Sequence, residues 1–265
     1  MTKPSKVAGL DAGTQLRIAA ELLLHARVAD LHAAEARALR SFDPDSVHDL
    51  RVACRRVRAA IKVFGKKRLR SLDERVEHLQ DVLGEVRDLQ LRIRWLVRHQ
   101  ADPRAVRARL GVAKAHLRKA LALWTRRSEV LLLREAVHVH GRGHLGGSRV
   151  RQRLRKRVRE LQRELSQADS LEPACAHRVR IAAKKLRYEA ELLSDAFDLA
   201  DAVEVLSDAQ SALGDLHDAD VRLQEVRADG RLTQVARAER RRSATKARAA
   251  LRRLGRVASV LEERV

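Results

Sequence analysis

Hydrophobic positions along most of this chain recur at intervals of three and four residues, which is the spacing of one face of an α-helix. The clearest run is Val150, Leu154, Val158, Leu161 and Leu165, and almost every position between these residues is polar or basic. The chain lacks the short alternating runs of β-branched and aromatic residues that an all-β fold requires. The pattern predicts an all-α protein.

Proline, glycine and capping residues divide the chain into eight predicted helical segments. These cover about residues 14–40, 46–64, 73–99, 103 onward, 149 onward, 173–197, 202–227 and 231 onward. Asp45 or Ser46 is expected to cap the second segment, and Pro103 suits the first turn of the fourth. The Gly-rich stretch 138–148 is the candidate for a central linker.

Two motifs recur in the same order in the two halves of the chain. The sequence HDLRVACRRVR, beginning at His48, aligns without a gap with HRVRIAAKKLR, beginning at His177, at an offset of 129 residues. The sequence QDVLGEVRD, beginning at Gln80, aligns with QSALGDLHD, beginning at Gln210, at an offset of 130 residues. Such a repeat indicates an internal duplication. We expect two related four-helix halves, residues 1–145 and 146–265.

The first motif carries its basic residues on one side of a helix, within an arc of roughly 80 degrees and opposite its apolar positions. We call them the first basic stripe: His48, Arg51, Arg55, Arg58 and Lys62. The matching residues of the other half form the second basic stripe: His177, Arg180, Lys184 and Arg187. Both histidines are expected in the first turn of their helices, where unpaired backbone N–H groups favour an anion.

The composition adds a large positive charge, because 56 Lys and Arg residues against 35 Asp and Glu residues give a formal net charge of +21. A basic helix face is commonly a solvated surface balanced by acids, but the first stripe contains no acid of its own. We therefore interpret the paired stripes as an anion-binding site. A secondary basic surface is expected from Arg56, Lys185, Arg151, Arg155, Arg159, Arg248 and Arg252.

The second motif contributes acids that we expect to orient the arginines of the neighbouring helix through ion pairs. These supporting acids are Glu85, Asp88, Asp215 and Asp218. The alternative is a metal site with oxygen and nitrogen ligands from Asp215, Asp218, Asp220 and His217, or one in the linker from His138, His140 and His144. The two cysteines, Cys54 and Cys175, are far apart in the chain and predict neither a disulfide nor a zinc site.

These motifs resemble those of the CHAD domain, a family named for conserved histidines in an α-helical domain. The resemblance rests on the segments beginning at His48, His177, Gln80 and Gln210, and on the extension Leu186-Arg187-Tyr188. It implies a module of two four-helix bundles, related by pseudo-twofold symmetry around a central basic cavity. Many members carry an adjacent triphosphate-processing domain, for which this chain has no room, so we expect the module to stand alone. Members of the family are implicated in binding inorganic polyphosphate and in association with polyphosphate granules. The resemblance implies that the two basic stripes are the binding set.

We therefore expect a non-catalytic cytoplasmic protein that binds inorganic polyphosphate, associates with its granules and needs no cofactor. No membrane span or secretory signal is evident, so we expect no membrane partner. One alternative is sequence-independent nucleic-acid binding, which a pI near 11.2 would suit, although aromatic stacking residues are scarce. The other alternative is a metal-dependent phosphohydrolase that uses the acids of the second motif.

Overall fold

The computed structural model describes residues 3–65, 69–127, 142–168 and 171–264. The regular secondary structure of these ranges is helical, and a β-bridge joins Gln15 to His144. The predicted all-α fold class is confirmed. The chain divides into two compact units, Met1–His144 and Leu145–Val265. Among the described helices, none has an apolar stretch long enough to cross a membrane.

The described helices of the first unit are α1 (Leu16–Ser41), α2 (Pro44–Ala60), a π-helical continuation of α2 (Ile61–Gly65), α3 (Arg70–Arg98) and α4 (Arg104–Arg127). Helices that are adjacent in the chain pack on one another, α1 on α2, α2 on α3 and α3 on α4. Their apolar faces form a core whose fully buried side chains include Leu24, Leu31, Leu50, Leu83 and Leu117. This packing leaves the polar face of α2 beside α3.

The start of α2 is fixed by Asp43, whose carboxylate accepts hydrogen bonds from the backbone N–H groups of Asp45 and Ser46, both at 3.0 Å. The hydroxyl of Ser41 also donates to this carboxylate, and these bonds hold the pKa of Asp43 well below its usual range. Pro44 occupies the first helical position, where a missing N–H costs nothing. The prediction that Asp45 or Ser46 caps the helix is therefore wrong, because the N-cap is Asp43, whose side chain accepts hydrogen bonds from the backbone N–H groups of both residues.

The helices of the second unit are α5 (Ser148–Ser166), α6 (Pro173–Leu192), the short α7 (Ser194–Phe197), α8 (Ala200–Glu225) and α9 (Gly230–Arg264). Helix α5 packs on α6, α6 on α8, α8 on α9, and α9 on α5, so the four long helices close into a bundle. The sixth predicted segment is interrupted, because Leu193 leaves the helical conformation between α6 and α7.

A buried ion cluster joins α5 to α6. The Glu189 carboxylate is only 2% exposed and accepts two hydrogen bonds from Arg153, at 2.9 and 2.7 Å. It also accepts a bond of 3.0 Å from Arg157, which in turn donates to Glu160 at 2.7 Å. Part of the positive charge of α5 is thus neutralised within the bundle and serves helix packing.

Candidate functional site

Helix α2 presents the first basic stripe beside α3. His48, Arg51 and Arg55 are half-buried, and Lys62 is exposed in the π-helical continuation. A Cβ placed on Gly84 of the second motif would lie 3.6 Å from Nη2 of Arg51, so the guanidinium lies alongside the α3 backbone. The two motifs of the first half are therefore in direct contact.

Acids from α3 reach the first basic stripe. Arg51 pairs with Asp88 at 3.6 Å, where the Asp88 side chain is 77% exposed. Arg58 donates to Asp73 and Glu77, both at 2.7 Å, and Lys62 lies 3.7 Å from Asp73. Glu85 is exposed on the same helix. The first stripe contains no acid of its own, and α3 supplies its counter-charges; the pair formed by Arg51 and Asp88 is of the kind that the second motif predicted.

Arg58 is committed to the contact between α2 and α3. Its side chain is only 11% exposed, and both of its acid partners belong to α3. Burial acts to lower the pKa of Arg58, but the hydrogen bonds and charges of Asp73 and Glu77 raise it overall. A bound polyanion would have to displace these carboxylates to reach the guanidinium. Arg58 therefore serves to hold α2 against α3.

His48 lies one turn farther into α2 than expected, because the helix begins at Pro44. Its neighbour from α3 is Arg87, which donates Nη1 to the carbonyl oxygen of Pro44 at 2.8 Å. Burial and the positive charges of Arg87 and Arg55 lower the pKa of His48, against the opposing effect of Asp49. The backbone donors of the first turn are occupied by Asp43, so an anion at His48 would be held by side chains.

The second basic stripe lies on α6. His177 is exposed, and Arg180 and Lys184 are half-buried. The ring of His217, from α8, lies 5.3 Å from the ring of His177 between centroids. Partial burial of the imidazole ring and the positive charges of Arg180, His217 and Lys184 together lower the pKa of His177. As in the first half, the histidine lies in the second turn of its helix, because α6 begins at Pro173.

Arg187 differs from the rest of its stripe because it points into the bundle. It is 1% exposed, its Nε donates to Gln210 at 2.9 Å, and its guanidinium lies 4.2 Å from the ring centroid of Tyr188. The second motif therefore contributes the half-buried amide of Gln210 as a hydrogen-bond partner here instead of an acid. Among the described residues, Nη2 of Arg187 and the hydroxyl of Tyr188 are buried without a hydrogen-bond partner. A long polyanion cannot reach this guanidinium from outside.

Only part of the predicted secondary basic surface is exposed. Arg56 is 5% exposed, so its assignment to the surface is wrong: α2 turns this side chain toward its packed neighbours. Arg151 is half-buried, donates to the carbonyl of Gly146 at 2.9 Å and stacks on Phe197 at 5.0 Å. The members that remain exposed are Lys185, Arg155, Arg159, Arg248 and Arg252.

The outer face of α5 forms a basic groove of about 620 Å³. Its described lining residues are Gln152, Arg155, Lys156, Arg159, Glu160 and Arg163. Arg159 also lies 3.6 Å from Glu262 of α9, which offsets part of the charge. The sequence pattern did not point to Lys156 and Arg163, although Lys156 lies three residues before Arg159 and Arg163 four residues after it, which is the spacing of one helix face.

Among the residues that the structure describes, the proposed alternative metal ligands do not form a metal site. No group of three or more His, Cys, Asp or Glu side chains suited to a metal occurs in the described ranges. Asp220 instead accepts a hydrogen bond of 2.6 Å from Arg240, and His217 faces His177. Asp215 is exposed and Asp218 half-buried on α8. His138 and His140 lie outside the described residues, and His144 is exposed.

Arg87 and His217 were missed as candidate binding residues. Both occupy the eighth position of the second motif, so the repeat already relates them. The signal was present in the alignment, but the position holds arginine in one half and histidine in the other. Only the packing of α3 on α2 and of α8 on α6 brings this position next to the motif histidine.

These observations define a class of all-helical proteins in which two basic helices each carry a histidine near their start. The family model described as the CHAD domain matches residues 22–227, which is most of the chain. The chain therefore belongs to the CHAD domain family. A search among curated proteins found no match.

Two solved structures share the fold. The crystal structure of the CHAD domain from the plant Ricinus communis is 21% identical, with a TM-score of 0.71, over 95% of this chain and 96% of that chain. PptA from Streptomyces chartreusis is 14% identical, with a TM-score of 0.58, over 93% of this chain and 100% of that chain. At these identities the similarity concerns the fold alone.

Proposed function

We propose that the protein binds inorganic polyphosphate, without cleaving it, through the two basic stripes. The supporting observation is that each unit places a histidine and two basic side chains on one helix, next to a further basic or titratable residue from the second motif. In the first unit this set is His48, Arg51, Arg55 and Arg87. In the second unit it is His177, Arg180, Lys184 and His217. Membership of the CHAD family is compatible with this function.

The chemistry of these residues suits a phosphate chain. Guanidinium groups donate two parallel hydrogen bonds to phosphate oxygens, and a lysine adds a mobile positive charge. An extended polyanion also releases condensed counterions when cationic side chains replace them, which favours binding at low salt. The scarcity of aromatic residues, 2% of the chain, favours a ligand without bases over a single-stranded nucleic acid.

Not every basic residue is assigned to binding. Arg58 and Arg187 act as supports, since the first is held by two acids and the second is enclosed by Gln210 and Tyr188. Lys62 of the first stripe is exposed, the exposed Lys185 adds charge beside the second stripe, and the groove on α5 adds positive potential. The binding energy would therefore come from fewer side chains than the net charge suggests.

The test is a salt titration of polyphosphate binding by the whole protein. Removing one phosphate contact in each unit, with Arg51→Ala/Arg180→Ala, should weaken binding and make the plot of log affinity against log salt shallower by about one to two units of slope. The charge-matched control is Arg109→Ala/Arg242→Ala, which removes exposed arginines outside both motifs. If the control variant loses as much affinity as the stripe variant, the stripes are not the binding site.

Competition and turnover distinguish the other functions. Long polyphosphate should displace duplex DNA at matched charge concentration, and equal competition would favour a general polyanion binder. Incubation with magnesium or manganese should release no phosphate from polyphosphate. Release that is lost in Asp215→Asn/Asp218→Asn would instead support a phosphohydrolase, although the described residues offer no metal cluster.

A further inference from the structure

The eighth position of the second motif lies near the motif histidine in both units but holds a different residue. In the first unit it is Arg87 of α3, which donates a hydrogen bond to the carbonyl oxygen of Pro44 at the start of α2. The positive charge of Arg87 helps to lower the pKa of His48. In the second unit it is His217, whose ring lies 5.3 Å from that of His177. The first unit therefore places a permanent positive charge beside its motif histidine, and the second unit places a second titratable ring there.

We infer that His177 and His217 form a proton-linked part of the anion site, in which binding of a phosphate chain takes up a proton and therefore tightens as the pH falls. The inference rests on the proposed function, since it concerns the same site. It assigns His217 to ligand binding, and it makes the second unit the main source of pH dependence.

Charged groups on four helices surround His177 and His217 and influence their protonation. Partial burial lowers the pKa of His177 in the free protein, and on α6 the positive charges of Arg180 and Lys184 lower it further. On α5, Glu164 is engaged by Arg178 at 3.0 Å. On α8 the neighbouring acids are Asp215, Asp218 and Asp220, and on α9 the charged groups near this part of α8 are Arg240 and Glu239.

A phosphate chain reverses this balance. Its negative charge close to both rings favours the imidazolium form, and a protonated ring donates from both nitrogens where a neutral ring donates from one. The pKa of the histidine rings is therefore higher in the complex than in the free protein. The affinity for the phosphate chain rises as the pH falls through the interval between these two pKa values. Below that interval the free protein is already protonated and the affinity levels off.

The first unit responds less to pH. Arg87 stays protonated throughout the physiological range, so only His48 can change charge there. His48 is also half-buried and lies beside two arginines, which disfavours its protonation. A single substitution, His217→Arg, gives the second unit the residue of the first and should remove most of the pH dependence while keeping a positive charge at the site.

The experiment measures binding of long-chain polyphosphate by calorimetry at about pH 6 and about pH 8, at fixed salt. For the wild type we expect about three- to tenfold tighter binding at the lower pH, with uptake of about one proton, measured from the dependence of the binding enthalpy on the buffer. His217→Arg should bind at least as tightly at the higher pH, with little proton uptake. His177→Gln/His217→Gln should bind more weakly than the wild type, with little difference in affinity between the two pH values.

The matched control is His116→Gln, which breaks another pair of histidine rings, His78 and His116, whose centroids lie 6.5 Å apart on α3 and α4. This variant should keep the pH dependence of the wild type. Equal wild-type affinity at both pH values without proton uptake would overturn the inference and leave the proposed function standing. Persistence of proton uptake in His177→Gln/His217→Gln would also overturn it, whereas absence of polyphosphate binding at low salt would overturn both proposals.

Discussion

The arginines of the two basic stripes differ in what surrounds them, although the sequence presents them as equivalent. Arg58 and Arg187 align in the repeat, yet Arg58 meets two carboxylates and Arg187 meets Gln210 and the ring of Tyr188. The helical wheel gave the direction of each side chain around its helix. It could not give the depth to which the neighbouring helix covers that side chain, which decides whether the charge faces water.

At the scale of single residues, the burial of Arg187 leads to a stability prediction. Arg187→Ala should lower the free energy of unfolding by about 2 to 4 kcal/mol, because it leaves a cavity and removes the partner of the Gln210 amide. The exposed Lys185→Ala should change it by less than about 0.5 kcal/mol. Urea unfolding followed by circular dichroism measures both, and equal effects of the two variants would contradict the buried role.

At the scale of helices, the boundaries show which signals were ambiguous. The hydrophobic spacing gave the long helices, because their apolar faces dominate the sequence pattern. The start of α2 was misplaced by two residues, since Ser46 and Asp43 are both good capping residues and only the geometry shows that Asp43 holds the free N–H groups. No proline or glycine marks the end of α6 at Leu193, so the sequence pattern did not predict this break.

The contact between α5 and α6 depends on Glu189, and this gives a prediction for helix packing. Glu189→Gln should destabilise the protein by about 2 to 3 kcal/mol, because Arg153 and Arg157 lose the carboxylate that neutralises them. The expected loss is below that of a fully buried pair, since both arginines keep some contact with water. Glu204→Gln, at an exposed position of α8, serves as the control, and the same unfolding measurement compares them.

At the scale of the whole molecule, family membership was predicted from the two repeated motifs and is confirmed by the match over residues 22–227. The motifs sufficed because their order and spacing carry information that no single basic stripe contains. The pseudo-twofold relation of the halves and the central cavity stay predictions, because the repeat specifies the content of each half and not how two halves associate.

The net charge of +21 leads to a prediction about salt. Raising sodium chloride from about 50 to about 500 mM should raise the Tm of the free protein, because screening weakens the repulsion among its positive charges. The same increase should reduce the rise in Tm that added polyphosphate produces, because the ligand competes with chloride and its affinity falls. Thermal unfolding with and without polyphosphate tests both parts. A Tm that falls with salt in the free protein would contradict the first.

The positions of the two cysteines give the molecule a built-in attachment point for a probe. Cys54 is fully buried, and burial raises the pKa of its thiol to about 12, so it is protected from thiol-directed reagents while the first unit is folded. Cys175 is partly exposed and lies two residues before His177. A fluorophore attached through the native thiol would therefore report from the edge of the second basic stripe, without an introduced cysteine.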